Sequence, residues 1–210
     1  MIRCAKVVER CKPVRSSVVI CNLRKNMYIC KNFAKVQRID HIAAEKMKRI
    51  GILSDTHGKI PQQVYTFFKD CDELWHAGDM GGGVMETLQE FKPLVAVYGN
   101  CDSWDVRHVA PETQLFVREG MKIVMTHIGG YPGHYERRLL PIFESEKPAI
   151  FVSGHSHILR VMYDKGYEML HINPGAAGQQ GFHQKATLVR LTLDGTPKNL
   201  EICEFDKFQQ

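Results

Sequence analysis

The chain has 210 residues, of which 44% are hydrophobic and 24% charged, enough to bury one substantial core and typical of one soluble domain. No apolar run approaches the roughly 18 residues of a membrane-spanning helix, which excludes a membrane-embedded protein. The net charge of +5 is uneven, because residues 1–46 hold 11 Lys and Arg against 3 Asp and Glu, whereas residues 47–210 hold 17 against 20. The basic balance therefore belongs to the first 46 residues, and the rest is not composed like a nucleic-acid-binding domain.

The first 46 residues, which we call the leader, differ from the rest of the chain. The apolar run at 18–21 is too short for a secretory signal, and no small-residue cleavage site follows it. We expect the leader to be poorly ordered, to carry no catalytic residue and to lie upstream of a natural start at Met47. A transit peptide and a nucleic-acid-binding arm remain alternatives, because the leader is basic and poor in acidic residues.

The cysteines that follow the leader are few and far apart, at positions 71, 101 and 203. They include no Cys-x-x-Cys pair, and their spacing fits neither a disulfide framework nor a zinc knuckle. This pattern favours a reducing compartment, and we expect the protein to be cytoplasmic.

Three predicted strands in the first half of the domain each end at residues that can bind a metal. The strands are predicted at 50–53, 73–77 and 94–98, and the helices between them at 61–69 and 84–91. The polar residues are Asp55 and His57 after the first strand, Asp79 after the second and Asn100 after the third. Successive β and α units predict a parallel sheet with a site along the carboxyl ends of its strands.

The Asp-x-His pair after the first strand is the centre of this prediction. If the strand continues through it, Asp55 and His57 lie on the same side, because side chains alternate with a period of two. A carboxylate and an imidazole can then face one divalent cation. Alone the pair is a weak signal, because most such pairs at strand ends are turns with a satisfied histidine.

The second half of the domain is richer in strand signals. A hairpin is predicted at 114–118 and 122–126, and further strands at 149–152, 160–163, 168–172, 186–193 and 200–205. We expect the last four of these strands to complete a second sheet. A helix is predicted at 132–145, where Pro141 should break or bend it. His127 follows the hairpin, and His155 and His157 follow the strand at 149–152.

Five short motifs occur in order along the domain, each after an apolar run. They are DTHG at 55–58, GDM at 78–80, GNCD at 99–102, THIGG at 126–130 and GHSH at 154–157. In these motifs the chain resembles the calcineurin-like metallophosphoesterases, and its short domain and GNCD motif resemble their small YfcE-type phosphodiesterase branch. The resemblance covers about 47–205. It implies an α/β fold in which a two-sheet β-sandwich is flanked by helices, in four αββα layers.

The resemblance also implies a site for two divalent metal ions and phosphodiesterase activity on small phosphodiesters. Asp55, His57 and His157 would hold one ion, Asn100, His127 and His155 the other, and Asp79 would bridge them. A shared carboxylate brings two cations to about 3.5–4 Å, where a water between them becomes hydroxide near neutral pH and can attack phosphorus in line. Mixed nitrogen and oxygen ligands suit Mn, and also Ni, Zn or Fe, better than Ca.

Position 101 departs from the pattern of larger family members, which carry a histidine after the asparagine that is thought to protonate the leaving oxygen. We expect Cys101 to be a buried thiol under the site, with proton donation as the alternative. Activity should then be best on substrates with good leaving groups.

Two further histidines are not expected to bind metal. His76 is expected to be a hydrogen-bonded core histidine. His134 is expected either to reach the substrate or to be an exposed loop residue.

A non-catalytic function is the alternative. The superfamily includes a retromer subunit that uses the same fold as a protein-binding scaffold and has a degraded metal site. Here every ligand position is filled, which favours catalysis. The expected partner is a small phosphodiester rather than a membrane or a nucleic acid, and a homo-oligomer remains open.

Overall fold

The computed structural model describes residues 13–14, 18–23, 26–30 and 47–208. The chain divides into two compact units, 1–44 and 45–210. In the leader, β1 (Pro13–Val14), β2 (Val18–Leu23) and β3 (Asn26–Cys30) form an antiparallel sheet in that order. We predicted a poorly ordered leader, but most of its residues lie outside the described ranges, so this stays a prediction.

The domain after the leader alternates strands and short helices. Its strands are β4 (Lys48–Leu53), β5 (Glu73–His76), β6 (Leu94–Ala96), β7 (Thr113–Arg118), β8 (Met121–Thr126), β9 (Gly130–Tyr131), β10 (His134–Tyr135), β11 (Ile150–Val152), β12 (Leu159–Asp164), β13 (Met169–Pro174), β14 (Lys185–Leu193) and β15 (Pro197–Asp206). Its helices are α1 (Gln62–Phe67), α2 (Val84–Phe91), α3 (Trp104–Val109) and α4 (Leu140–Glu146). No helix among the described residues is long and apolar enough to cross a membrane.

Sheet 1 has the strand order β15-β14-β4-β5-β6. Strands β4, β5 and β6 are parallel, as the β and α units predicted, and their carboxyl ends share one edge. Strand β14 pairs antiparallel with β4, with Val189 opposite Ile52, so the prediction that β14 and β15 complete the second sheet is wrong. The reason is its pairing with β4, which makes β14 an interior strand of sheet 1 that is buried on both faces: Leu188 packs on the helix side and Val189 faces the other sheet.

Sheet 2 has the strand order β12-β13-β11-β8-β7. Its three central strands are parallel, and the antiparallel strands β7 and β12 form the edges. Ile150 and Val152 of β11 are fully buried, as expected for a strand with neighbours on both sides. The carboxyl ends of β8 and β11 therefore lie side by side.

The core lies between the two sheets, and helices cover their outer faces. Side chains from both sheets form one buried cluster, which includes Ile52 and Trp75 of sheet 1 and Ile123 of sheet 2. A second cluster joins sheet 1 to α1, α2 and α3, and a third joins sheet 2 to α4. This arrangement confirms the predicted two-sheet sandwich flanked by helices.

Two segments differ from the predicted helices. The segment 132–145, expected to be helical, instead contains β10, which pairs with β9, and a 3₁₀ turn at Arg137–Leu139, and it becomes an α-helix only in α4. Pro141 lies in the first turn of α4, where its missing N–H costs nothing, so it begins this helix rather than bending it. Helix α3 occupies 104–109, where no helix was predicted.

Candidate metal centre

The loops that follow four parallel strands converge at one edge of the sandwich. Beyond β4 and β5 the backbones stay paired: the N–H of Asp55 donates to Gly78 O at 3.0 Å, and that of His57 donates to Asp79 O at 3.0 Å. Beyond β8 and β11, the N–H of Gly154 donates to His127 O at 2.9 Å. These bonds fix the loops that carry the predicted ligands as firmly as the strands before them.

Five of the predicted ligands have left-handed backbone conformations. The φ angles are 56° for Asp55, 48° for His57, 53° for Asp79, 67° for His155 and 58° for His157. This conformation is costly for residues other than glycine, and such residues cluster at functional sites. The strand-like geometry assumed for the Asp-x-His pair is therefore wrong, because the chain turns at both residues once β4 has ended.

The side chains of four predicted ligands meet around the carboxylate of Asp55. Its Oδ1 lies 3.1 Å from Nε2 of His157, 4.0 Å from Nε2 of His57 and 3.9 Å from Nε2 of His127. The Nε2 atoms of His57 and His157 are 3.4 Å apart. Asp79 Oδ2 lies 3.2 Å from Nε2 of His127. Two triads, Asp55–His57–His157 and Asp55–Asp79–His127, thus have ligand atoms within 4.8 Å of one another.

Two atoms in this cluster are buried and lack a hydrogen-bond partner: Oδ1 of Asp55 and Nε2 of His127. The other ring nitrogen of His127 lies 2.7 Å from Ala77 O, and only a protonated Nδ1 can bond to a carbonyl. In the neutral ring, Nε2 therefore presents a lone pair to the carboxylates. Unpartnered buried polar atoms are rare, and a cation between them would satisfy both. The residues present thus fit a divalent metal.

The pKa shifts in the cluster reflect burial and the close pairing of carboxylates with imidazole rings. Burial alone would raise the pKa of Asp79, but the nearby ring of His127, 3.2 Å away, and the N–H of Cys101 hold it well below the usual range. Burial alone would lower the pKa of His127, but Asp79, Asp55 and the Ala77 carbonyl raise it. Burial lowers the pKa of His57, so its imidazole is neutral at pH 7, the form that binds metal.

The remaining two predicted ligands, Asn100 and His155, lie at the exposed rim of the cluster. The ring of His155 is 5.3 Å from that of His127 in an edge-to-face arrangement, and the backbone N–H of His155 donates to Asp55 Oδ2 at 3.2 Å. Nδ2 of Asn100 donates to the sulfur of Cys101 at 3.3 Å. Their assignment as metal ligands stays a prediction.

Cys101 is exposed, so the prediction of a buried thiol is wrong. Asp102 occupies the inner side of this loop instead, where its two oxygens accept the N–H groups of Gly81 at 2.9 Å and Gly99 at 2.8 Å. A carboxylate with two backbone donors holds the inner position better than a thiol, which hydrogen-bonds weakly. Burial and the nearby Asp79 raise the pKa of Cys101.

The GNCD loop also positions Asp79. The N–H of Cys101 donates to Asp79 Oδ1 at 2.7 Å. A methyl group at Gly99 would collide with the same carboxylate, so this position requires glycine. Arg107, in the unpredicted helix α3, donates to the carbonyls of Asn100 and Asp102 at 2.8 Å each. Arg107 was not predicted as a functional residue, because no helix was predicted at 104–109.

The supporting residues behave largely as predicted. His76 is fully buried, and its Nδ1 accepts the N–H of Gly78 at 3.2 Å, so Nε2–H donates to Thr56 Oγ1 at 3.0 Å. Burial lowers the pKa of His76 to about 3, which keeps it neutral. This confirms it as a hydrogen-bonded core histidine. His134 is an exposed residue of β10, with its ring 4.9 Å from that of Tyr131.

Comparison with known proteins agrees with the motifs. The family model "Calcineurin-like phosphoesterase superfamily domain" matches residues 47–196. A Methanothermobacter thermautotrophicus protein named "Probable metallophosphoesterase" is 29% identical over 164 residues, which cover 73% of this chain and 90% of that protein.

Solved structures share the fold. An archaeal phosphodiesterase is similar with a TM-score of 0.61 and 22% identity over 75% of this chain and 99% of its own. Vacuolar protein sorting 29 from Cryptosporidium parvum is similar with a TM-score of 0.57 and 20% identity over 77% of this chain and 99% of its own. Because the family model covers most of the chain and its motifs supply the clustered side chains, this protein belongs to the calcineurin-like phosphoesterase superfamily.

Proposed function

We propose that the protein is a two-metal-dependent phosphodiesterase that hydrolyses small phosphodiesters. The observation that carries the proposal is the pair of unpartnered buried atoms, Asp55 Oδ1 and His127 Nε2, which lie 3.9 Å apart beside Asp79. A carboxylate oxygen and an imidazole lone pair in such proximity call for a positive charge between them. Family membership makes a phosphoester the expected substrate class.

The proposed ligand sets divide the cluster between two sites. Asp55, His57 and His157 hold one cation, Asn100, His127 and His155 hold the other, and Asp79 is shared. When bound, such cations polarise phosphoryl oxygens and lower the pKa of water. Mn is the proposed metal, because the ligands mix imidazole with hard oxygen.

The chain's own contribution is to hold these ligands in their reactive forms. The carbonyl of Ala77 fixes the ring of His127, and the N–H of Cys101 fixes Asp79. Burial keeps His57 neutral. The ligands therefore need little reorganisation when a cation or a substrate arrives, which is how a site gains electrostatic preorganisation.

Leaving-group chemistry limits the proposed substrates. No histidine follows Asn100, and the raised pKa of Cys101 keeps its thiol protonated but a weak acid at neutral pH. We therefore propose small phosphodiesters with good leaving groups as the preferred substrates. Cys71, Cys101 and Cys203 are all free thiols, which supports a reducing compartment such as the cytoplasm.

A protein-binding scaffold is the second candidate function. The similarity to vacuolar protein sorting 29 shows a common fold and does not by itself carry a function. Against the scaffold, the described residues keep every predicted carboxylate and histidine, five of them in left-handed conformations that a scaffold has no evident reason to retain.

Metal addition tests the proposal. Protein treated with a chelator is expected to lose hydrolysis of bis(p-nitrophenyl) phosphate, and separate additions of Mn, Ni, Zn and Mg are expected to restore it, most strongly with Mn. The physical reason is that phosphoryl transfer here depends on charge that only the bound cations supply. The measurement is p-nitrophenolate release at fixed pH, with circular dichroism confirming that the chelated protein is folded.

Failure of all four metals to restore activity in folded protein would contradict the phosphodiesterase and favour the scaffold. A heat-denatured sample with the same metals is the control for hydrolysis by the metals themselves.

A further inference from the structure

A cavity of about 290 Å³ opens beside the metal centre, on the sheet 2 side. His155 lines one part of it, and the loop after β8, with Gly129 and Gly130, lines another. Arg160 and Tyr131 lie in the wall as well. Pockets for small ligands hold roughly 300–1,000 Å³, so this cavity is large enough for one small substituent. A substrate whose phosphorus lies at the metal centre could place one ester group here.

Arg160 contributes a positive charge to the wall of this cavity, and its guanidinium has no acidic partner among the described residues. Its guanidinium lies 4.0 Å from the centre of the Tyr131 ring, a cation–π contact that orients the group without using its N–H donors. It forms no hydrogen bond or ion pair with the described part of the chain. By contrast Arg118 pairs with Glu73 at 2.9 Å, and Arg190 with Glu201 at 2.7 Å.

The backbone places Arg160 toward the site. In the β12–β13 pair Arg160 lies directly opposite Asn173, so the two side chains share one face of sheet 2, and both line the cavity. Asn173 donates to Gly154 O at 2.7 Å and thereby fixes the loop that carries His155. The guanidinium is thus on the same wall as a predicted metal ligand.

The other ionisable groups around the cavity are Glu136 and His171, besides His155 itself. Glu136 is exposed and lies beyond ion-pair distance of Arg160. His171 is buried, bonds to Ser153 Oγ at 3.0 Å through Nε2 and leaves Nδ1 unpartnered. Burial lowers the pKa of His171 to about 4, so it carries no charge at neutral pH.

We propose that this cavity binds the second ester group of the substrate, and that Arg160 pairs with an anionic group, a carboxylate or a tetrahedral oxyanion, on that ester group. The proposal rests on the proposed phosphodiesterase function and narrows its substrates to diesters that carry a second anion. A guanidinium is planar and presents a fork of N–H donors that suits either oxyanion, and the contact with Tyr131 restricts where this fork can point.

Three substrates with one leaving group test this proposal: the p-nitrophenyl phosphodiesters of ethanol, of 3-hydroxypropionate and of 2-hydroxyethanesulfonate. The metal-loaded full chain is expected to have kcat/KM at least about tenfold higher for the two anionic diesters than for the ethyl diester, chiefly through a lower KM. The carboxylate and sulfonate arms distinguish planar from tetrahedral anions, and a preference for either one supports the proposal.

Arg160→Met is expected to abolish this preference and to leave hydrolysis of the ethyl diester within about twofold, because the residue touches no proposed metal ligand. Arg160→Lys should keep part of the preference for anionic diesters, because lysine retains the positive charge but lacks the planar N–H donors of the guanidinium. The matched control is Arg137→Met, which removes an exposed charge from a neighbouring segment outside the cavity and should keep the full preference.

Equal kcat/KM for all three diesters in the wild type, or a preference that survives Arg160→Met, would overturn the cavity proposal and leave the phosphodiesterase intact. If the wild type hydrolyses none of them, the proposed function fails instead. Calorimetric titration then tests the cavity proposal without catalysis. In the wild type, 2-carboxyethylphosphonate should bind with a lower Kd than ethylphosphonate, and in Arg160→Met this difference should disappear. Equal Kd values for the two phosphonates would contradict the proposal.

Discussion

Asp79→Asn is expected to lower kcat/KM for bis(p-nitrophenyl) phosphate by about 10³-fold or more, because a neutral amide replaces the charged group that both proposed cation sites share. Asparagine tolerates the left-handed backbone at this position, where φ is 53°. Its side-chain oxygen can still accept the N–H of Cys101, which now bonds to Asp79 Oδ1 at 2.7 Å. The variant should therefore fold, and the loss should be one of chemistry.

The thermal stability of the same variant tests the charge of Asp79 independently of catalysis. The pKa of Asp79 is lowered in the folded protein, so its charge contributes stability above the usual aspartate pKa, about 3.9, and that contribution is lost as the pH falls through the folded value. In chelated protein, Asp79→Asn should therefore lower Tm moderately at pH 7 and flatten the dependence of Tm on acid pH. Added Mn should raise Tm in the wild type much more than in the variant.

The control for this substitution is Asp105→Asn, which makes the same chemical change at an exposed position of α3. It should leave both the rate and the Mn effect unchanged. Full activity in Asp79→Asn would remove Asp79 from the proposed bridging position.

Phe151→Ala is expected to have the largest effect on stability, about 3–5 kcal/mol of the free energy of unfolding. Phe151 is fully buried in β11, and its ring centre lies 4.9 Å from that of Phe143 in α4 and 5.4 Å from the stacked ring of His171. Truncation therefore leaves a cavity between sheet 2 and its covering helix. Urea unfolding of the chelated protein should show a lower midpoint with an unchanged slope.

Val117→Ala serves as the control for the core substitution. Val117 is 54% exposed on the edge strand β7, so its truncation should change the free energy of unfolding by less than about 0.5 kcal/mol. An equal loss in both variants would mean that Phe151 does not hold sheet 2 and α4 together as its contacts indicate.

The position of the site could be predicted from the sequence because the end of a buried strand is visible as the end of an apolar run. The apolar run of β4 stops just before Asp55, and that of β5 stops shortly before Asp79. Parallel strands then bring such ends to one edge, whatever the loops between them do. The left-handed backbone at Asp55 and at Asp79 could not be predicted in the same way, because it depends on bonds between the two loops rather than on either sequence alone.

The errors in the prediction have a common origin in long-range pairing. Nothing in the alternation of β14 says which sheet it joins, and only its partner β4 decides this. Likewise the sequence alone did not show whether Cys101 or Asp102 lies on the inner side of the turn. Asp102 lies there because it accepts backbone N–H groups both from Gly99 in the same motif and from Gly81 in the preceding loop. Arg160 was predicted only as a strand residue, because its contact with Tyr131 joins two segments that are far apart in the sequence.

The number of metal ions held by the domain tests the central claim most directly. Chelated protein titrated with Mn should bind two ions per chain by equilibrium dialysis, and their electron paramagnetic resonance should show the magnetic coupling of two ions that share a ligand. Asp79→Asn should lose the coupling. Binding of a single ion, or of two ions without any coupling, would contradict a pair of cations held around the Asp79 carboxylate.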